Sequence, residues 1–221
     1  MKLREIKKLA AVCALTLAVP AMGEIVTNGS FEAGTGTDAL GWTQDYSGGP
    51  GATADIWRYN KGPASDGEFS MYLGLNGSVG ESEKYGTSAN IYQLTEAGSI
   101  VGGMEYDFSF AGIGSAGSAS LAVMQYQLYW YDTDGSHGGG PLSSATGLTD
   151  WTLTDDWSLH GMSGLLAPDA ADSVAIQIIV ANPYGGDMWA SVDAVSMVAV
   201  PAPGALALLG LAGIANRRRR G

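Results

Sequence analysis

Met104-Glu105-Tyr106-Asp107-Phe108-Ser109-Phe110 is the stretch on which the fold class turns. Met104, Tyr106, Phe108 and Phe110 share one parity, while Glu105, Asp107 and Ser109 share the other. Successive strand side chains point to opposite faces, so this segment is a strand with one apolar and one polar face. The pattern recurs on both sides. Glu68 to Leu75 lines up Phe69, Met71, Leu73 and Leu75, and Ser173 to Val180 lines up Val174, Ile176, Ile178 and Val180. Between Glu24 and Val198 no stretch carries the 3.6-residue period of an amphipathic helix, and no internal repeat appears. Clusters of Gly, Asn, Asp and Ser bound the apolar runs. The expectation is all-β, an antiparallel β-sandwich of half-buried strands forming one domain. Ala119–Tyr131 reads as a long strand. Gly112–Gly117 and Leu142–Thr149 read as loops, and Asp134-Gly135 reads as a hairpin turn.

The two ends read differently from this body. Lys2, Arg4, Lys7 and Lys8 precede the uncharged apolar run Leu9–Val19, then Pro20, then Ala21-Met22-Gly23 before Glu24. A basic segment, a run too short for about 30 Å of hydrocarbon, and small residues before a cut describe a secretory signal peptide over residues 1–23. An uncleaved anchor is the alternative. Cys13, the only cysteine, falls inside the apolar run, so a chain cut before Glu24 has no thiol chemistry and no disulfide. Residues 24–198 keep three basic residues, Arg58, Lys61 and Lys84, against 21 acidic ones, a net charge near −18. Such a surface repels phosphate backbones, which excludes nucleic-acid partners.

At the other end, Pro201-Ala202-Pro203-Gly204 leads into the apolar run Ala205–Ala215 and then Arg217-Arg218-Arg219-Arg220. A rigid kink, a short apolar helix and a cationic stop make a marginal membrane segment with its arginines on the cytoplasmic side. Eleven residues span only about 16 Å, so a full crossing would borrow from Val195–Pro203 or use a thin bilayer. Residues 199–221 resemble the PEP-CTERM sorting signal of exopolysaccharide-making Gram-negative bacteria, with Pro201-Ala202-Pro203 in the place of its Pro-Glu-Pro motif. The resemblance implies temporary membrane anchoring by the C-terminal helix and processing by an exosortase-type transpeptidase, beside cleavage of residues 1–23 by signal peptidase. A plain C-terminal tail anchor is the alternative; both place the body outside the cytoplasm, at the cell envelope or in the extracellular matrix.

The body has a resemblance of its own. Ile25-Val26-Thr27-Asn28-Gly29-Ser30-Phe31-Glu32 with Gly41-Trp42, then Asp66-Gly67-Glu68-Phe69-Ser70-Met71-Tyr72-Leu73, Ile91-Tyr92-Gln93-Leu94, Trp130-Tyr131-Asp132 and Val192-Asp193-Ala194-Val195 follow one another as in carbohydrate-binding modules. These modules are galactose-binding-like jelly rolls. The resemblance implies non-catalytic binding of extracellular polysaccharide and a structural Ca²⁺ held by Glu32 and Asp193 with backbone carbonyls.

The residues themselves nominate a binding face. Along Leu121–Tyr131 one parity is Ala122, Met124, Tyr126, Leu128 and Trp130, and the other carries Gln125, Gln127, Tyr129 and Tyr131. Amides hydrogen-bond hydroxyls and aromatic rings stack on the C–H faces of pyranoses, so this row suits a glycan. A solvated sheet face has the same composition. Trp57 and Tyr59, on either side of Arg58, are the other candidates for sugar contact, Trp57 the better placed for stacking, whereas Trp42 reads as core. No Gly-x-Ser-x-Gly elbow, phosphate loop or His-pair metal spacing occurs. A weak lectin-like module is therefore expected, not an enzyme; a non-binding structural protein of the matrix is the alternative and a glycoside hydrolase the third reading.

Overall fold

The computed structural model describes residues 24–48, 52–60, 64–77, 87–115, 123–132, 141–149, 156–182 and 186–201. The expected signal peptide, the Asp134-Gly135 turn and the sorting tail beyond Pro201 lie outside them. Twelve strands follow in chain order: β1 (Gly34–Thr35), β2 (Asp38–Ala39), β3 (Thr43–Gly48), β4 (Ala52–Tyr59), β5 (Ser70–Gly77), β6 (Thr87–Leu94), β7 (Glu105–Ser115), β8 (Val123–Tyr131), β9 (Ser143–Thr149), β10 (Ser158–Leu166), β11 (Ser173–Asn182) and β12 (Met188–Val200). Apart from the small β1-β2 pair, they form two five-stranded antiparallel sheets, β3-β6-β11-β8-β9 and β10-β7-β12-β5-β4. The two sheets pack as a jelly-roll sandwich, and no described residue is helical.

Period two accounts for the core. Tyr106, Phe108 and Phe110 of β7 are buried, as are Met71, Leu73 and Leu75 of β5 and Val174, Ile176, Ile178 and Val180 of β11. Met124, Tyr126, Leu128 and Trp130 of β8 face them. Aromatic contacts weld β7 to β8 across the sandwich: Phe108–Tyr126 at 5.4 Å, Phe110–Tyr126 at 5.7 Å and Tyr106–Trp130 at 5.8 Å between centroids. Each such pair adds about 0.5–1.5 kcal/mol beyond its buried area. The phenols are satisfied, with Tyr126 donating to the Gly161 carbonyl at 2.8 Å and Tyr106 accepting from the Val101 amide at 2.7 Å.

Three expectations change. Gly112 to Ser115 is strand, not loop, because β12 pairs with all four residues from Val192 back to Trp189, and β10 also pairs at Gly112. Leu142–Thr149 is not a loop either: Ser143–Thr149 pairs antiparallel with β8 as an edge strand, whose pairing needs no apolar alternation. Finally, β12 continues past residue 198 to Val200, with Val195 and Met197 buried in the core. The folded sandwich therefore withholds Val195–Val200 from any membrane span.

The segment before β1 is strapped to the end of the sandwich. Asn28 and Phe31 take left-handed φ values of 53° and 57°, folding the chain so that Phe31 is buried against Trp42 at 5.2 Å. Trp42, core as expected, donates from Nε1 to the Asn28 carbonyl at 3.1 Å. Gln93, buried on the inner parity of β6, accepts from the Thr27 amide at 2.8 Å and donates to the carbonyls of Thr27 at 2.8 Å and Gly41 at 3.1 Å. Gly29 lies so close to β12 that a Cβ there would sit 1.9 Å from the Val195 carbonyl oxygen.

Candidate functional site

The outward parity of the β3-β6-β11-β8-β9 sheet carries a polar and aromatic row. Antiparallel register sets Gln127 of β8 opposite Gln177 of β11, Gln177 opposite Tyr92 of β6, and Tyr92 opposite Thr43 of β3. One step along, Tyr129, Ala175 and Leu94 align, and on the other side Gln125, Ile179 and Asn90. Opposed side chains have Cβ atoms about 4.5–5.5 Å apart, so four strands converge on one patch. Tyr92, Leu94, Tyr129, Tyr131, Ala175 and Gln177 line an open depression of about 360 Å³. Its polar atoms are pre-ordered: Gln177 donates to Asn90 Oδ1 at 3.2 Å, and the Tyr129 hydroxyl donates to Gln127 Oε1. Tyr92, 38% exposed, is the most accessible ring on the floor. The lining carries no charge. An uncharged floor of amides, phenols and small apolar groups fits a neutral, hydroxyl-rich ligand.

Gln125, Gln127, Tyr129 and Tyr131 thus meet on one face, as their parity on β8 required. Trp57 and Tyr59 do not join them. They belong to β4, at the edge of the opposite sheet, and point outward there. Trp57 packs on Tyr72 with rings 12° from parallel at 5.2 Å, and Tyr72 lies 14° from Trp189 at 6.2 Å. The sequence reading missed Gln177, Tyr92 and Asn90. The parity of Val174, Ile176, Ile178 and Val180 already implied that Gln177 points outward, but only register puts it beside Gln127.

Glu32 and Asp193 converge on a different place, the turn that enters β5. Glu32 Oε1 accepts from the amides of Glu68 and Phe69, both at 2.9 Å. Gly67 makes room for this carboxylate: its φ is +73°, and a Cβ would stand 2.3 Å from Glu32 Oε1. Asp193, fully buried, accepts from Ser65 and Asp66 at 2.7 Å through Oδ2 and from Ala194 at 2.7 Å through Oδ1. It sits on a bulge of β12 where Ala194 adopts φ 49°. Burial raises its pKa, with these amide bonds opposing. Arg58 closes the cluster, donating to the Phe31 and Glu32 carbonyls while its guanidinium stands 3.2 Å over the Phe69 ring. Both carboxylates already bind the turn through N–H donors. A Ca²⁺ here would have to use their remaining lone pairs together with carbonyls, since no cluster of three His, Cys, Asp or Glu side chains occurs among the described residues.

No family model matches the sequence, and no curated protein matches it. Solved structures do match in fold. The enzymatically active domain of tailspike protein 4 of bacteriophage CBA120 superposes with a TM-score of 0.57 at 16% identity, covering 80% of this chain and 21% of that one. This chain therefore spans about a fifth of the length of that solved domain. A Stig cyclase from Fischerella sp. TAU, in complex with a pyrrolidinylidene-indole, superposes with a TM-score of 0.53 at 17% identity over 81% and 98% of the two chains. A carbohydrate-binding module in complex with β-1,4-galactotriose gives 0.48 at 16% identity over 80% and 99%. At these identities the shared property is the fold alone, and a fold does not assign a function.

Proposed function

We propose that this protein is an exported, non-catalytic module that binds a neutral polysaccharide weakly along the groove over β6, β11 and β8. The observation that carries the reading is the cross-strand row Gln127–Gln177–Tyr92 beside Tyr129, uncharged, open and already hydrogen-bonded within itself. Gln125 and Tyr131 extend it along β8. An open trough admits a chain at any point along its length, whereas a closed pocket would select an end. Tethering by the tail after Val200 and its exosortase processing belong to the same proposal and rest on the sequence resemblance. So does a structural Ca²⁺ on Glu32 and Asp193, whose role would be to hold the 65–69 turn against β12.

Affinity electrophoresis of the purified protein, with β-1,4-linked galactan, glucan or xylan cast in the gel, tests the binding. Retardation by at least one polysaccharide, weakened in Gln127→Ala/Gln177→Ala, is expected. Migration unchanged in every gel, with calcium present, would leave a structural matrix protein as the better reading. Release of reducing ends would replace binding by hydrolysis.

A further inference from the structure

Trp57, Tyr72 and Trp189 form a continuous aromatic row on the far side of the molecule from the groove. They belong to three neighbouring strands, β4, β5 and β12, and all point outward. Register explains the row: Trp57 is opposite Tyr72, while Trp189 is opposite Gly74, the next outward position on β5. Tyr72 leans over that glycine, since a Cβ at Gly74 would stand 2.7 Å from its Cε1. The lean brings the phenol between the two indoles and nearly parallel to both. Tyr59 flanks the row at 6.1 Å from Tyr72. All four rings remain partly exposed. Beside them, Asn76 donates to Asp55 at 3.0 Å, leaving a fixed amide–carboxylate pair at the rim. Burial and the Asp55 carboxylate both raise the Tyr72 pKa, so its hydroxyl stays protonated and available as a donor.

We infer that this row is a second saccharide-binding face, so that one module can hold two polysaccharide chains on opposite sides of the sandwich. The inference rests on the glycan reading of the groove for its ligand class. Near-parallel rings next to a carboxylate and an amide are the arrangement by which proteins hold pyranoses, with rings under the C–H face and polar groups on the hydroxyls. The charge beside the rings is Asp55, so an anionic chain is repelled and a neutral one accommodated. Two faces separated by the sandwich give a crosslinking geometry that a single groove lacks, because one module cannot fold a stiff chain around itself.

Tryptophan emission separates the two faces, because the groove lining contains no tryptophan whereas this row contains two. Full-length protein is titrated with the β-1,4-linked hexasaccharide of whichever polysaccharide retards it. Quenching that persists in Gln127→Ala/Gln177→Ala, and that Trp57→Ala/Trp189→Ala abolishes while retaining gel retardation, is expected. Neither of these two alanine variants should then raise the turbidity of a long-chain solution, whereas the wild type should. Trp57→Phe/Trp189→Phe guards against misfolding: it keeps flat rings, so it retains crosslinking without the indole signal. Retardation with unchanged emission in the wild type overturns the second face and leaves the groove standing. Loss of both signals removes the two readings together. A wild-type dimer in sedimentation that Trp57→Ala/Trp189→Ala dissolves would make the row an interface between copies, and overturns the inference.

Discussion

Gln93→Ala tests the strapping of the amino-terminal segment most directly. The side chain is 4% exposed and makes three hydrogen bonds, to the amide and carbonyl of Thr27 and to the carbonyl of Gly41. Its orientation follows from the network, because only one placement of oxygen and nitrogen meets one N–H and two carbonyls. A buried hydrogen bond contributes about 1 kcal/mol net, so the three together are worth about 3 kcal/mol, before any penalty for orphaned backbone groups. For a domain of this size that loss lowers Tm by about 6–12 °C. The assay is urea unfolding followed by circular dichroism, with Tm from a thermal scan. A Gln93→Glu variant sharpens it. At neutral pH its carboxylate faces two carbonyls, so folding raises its pKa; its stability deficit should shrink as pH falls through that raised value, where the acid form can donate, and level off below about 4.3, the unfolded value. A Gln93→Ala loss under about 1 kcal/mol with an unchanged urea slope would refute the strap.

Other outcomes follow from the same geometry. Gly29→Ala should cost more than about 2 kcal/mol, because the added methyl must displace the Val195 carbonyl on a central strand, and a melt of the variant measures it. His160 packs on Phe110 and meets the Ser158 hydroxyl at 2.9 Å, and burial lowers its pKa. Its neutral form is therefore the folded one. Its contribution is whole above pH about 6.5 and is lost as pH falls from there toward the depressed folded value, a slope that His160→Gln should flatten in pH-dependent unfolding. Chelator should lower the Tm of the wild type but not of Glu32→Gln if calcium occupies the 65–69 turn, and a Tm indifferent to chelator would remove the metal.

What could be read from sequence was whatever repeats locally. Tyr106, Phe108 and Phe110 declare their strand and its buried face within seven residues, and Gln125 to Tyr131 declare an outward row in the same way. Non-local pairing stayed hidden. Trp57 and Gln127 have the same outward parity, yet they stand on opposite faces of the molecule because β4 pairs with β5 and β8 with β11. Nothing within either segment encodes that choice. β9 was silent for a related reason: an edge strand written Ser-Ser-Ala-Thr-Gly-Leu-Thr takes its order from backbone pairing with β8, so it shows no apolar alternation. The Glu32 and Asp193 positions were legible as acids of interest, but their amide partners at 65–69 come from the other side of the chain.

The far end of β12 limits where any peptidase could separate body from tail. Ala199 is registered with Tyr106 and Met197 with Phe108, and the strand stops one residue short of Pro201. Scission beyond Pro201 leaves every rung of this ladder intact. Scission as early as Ser196 would strip Met197 out of the interior and bare Phe108 and Tyr106 to water. A released domain whose core stays covered must therefore carry its carboxylate at or after Met197, a terminus that intact-mass measurement can read directly.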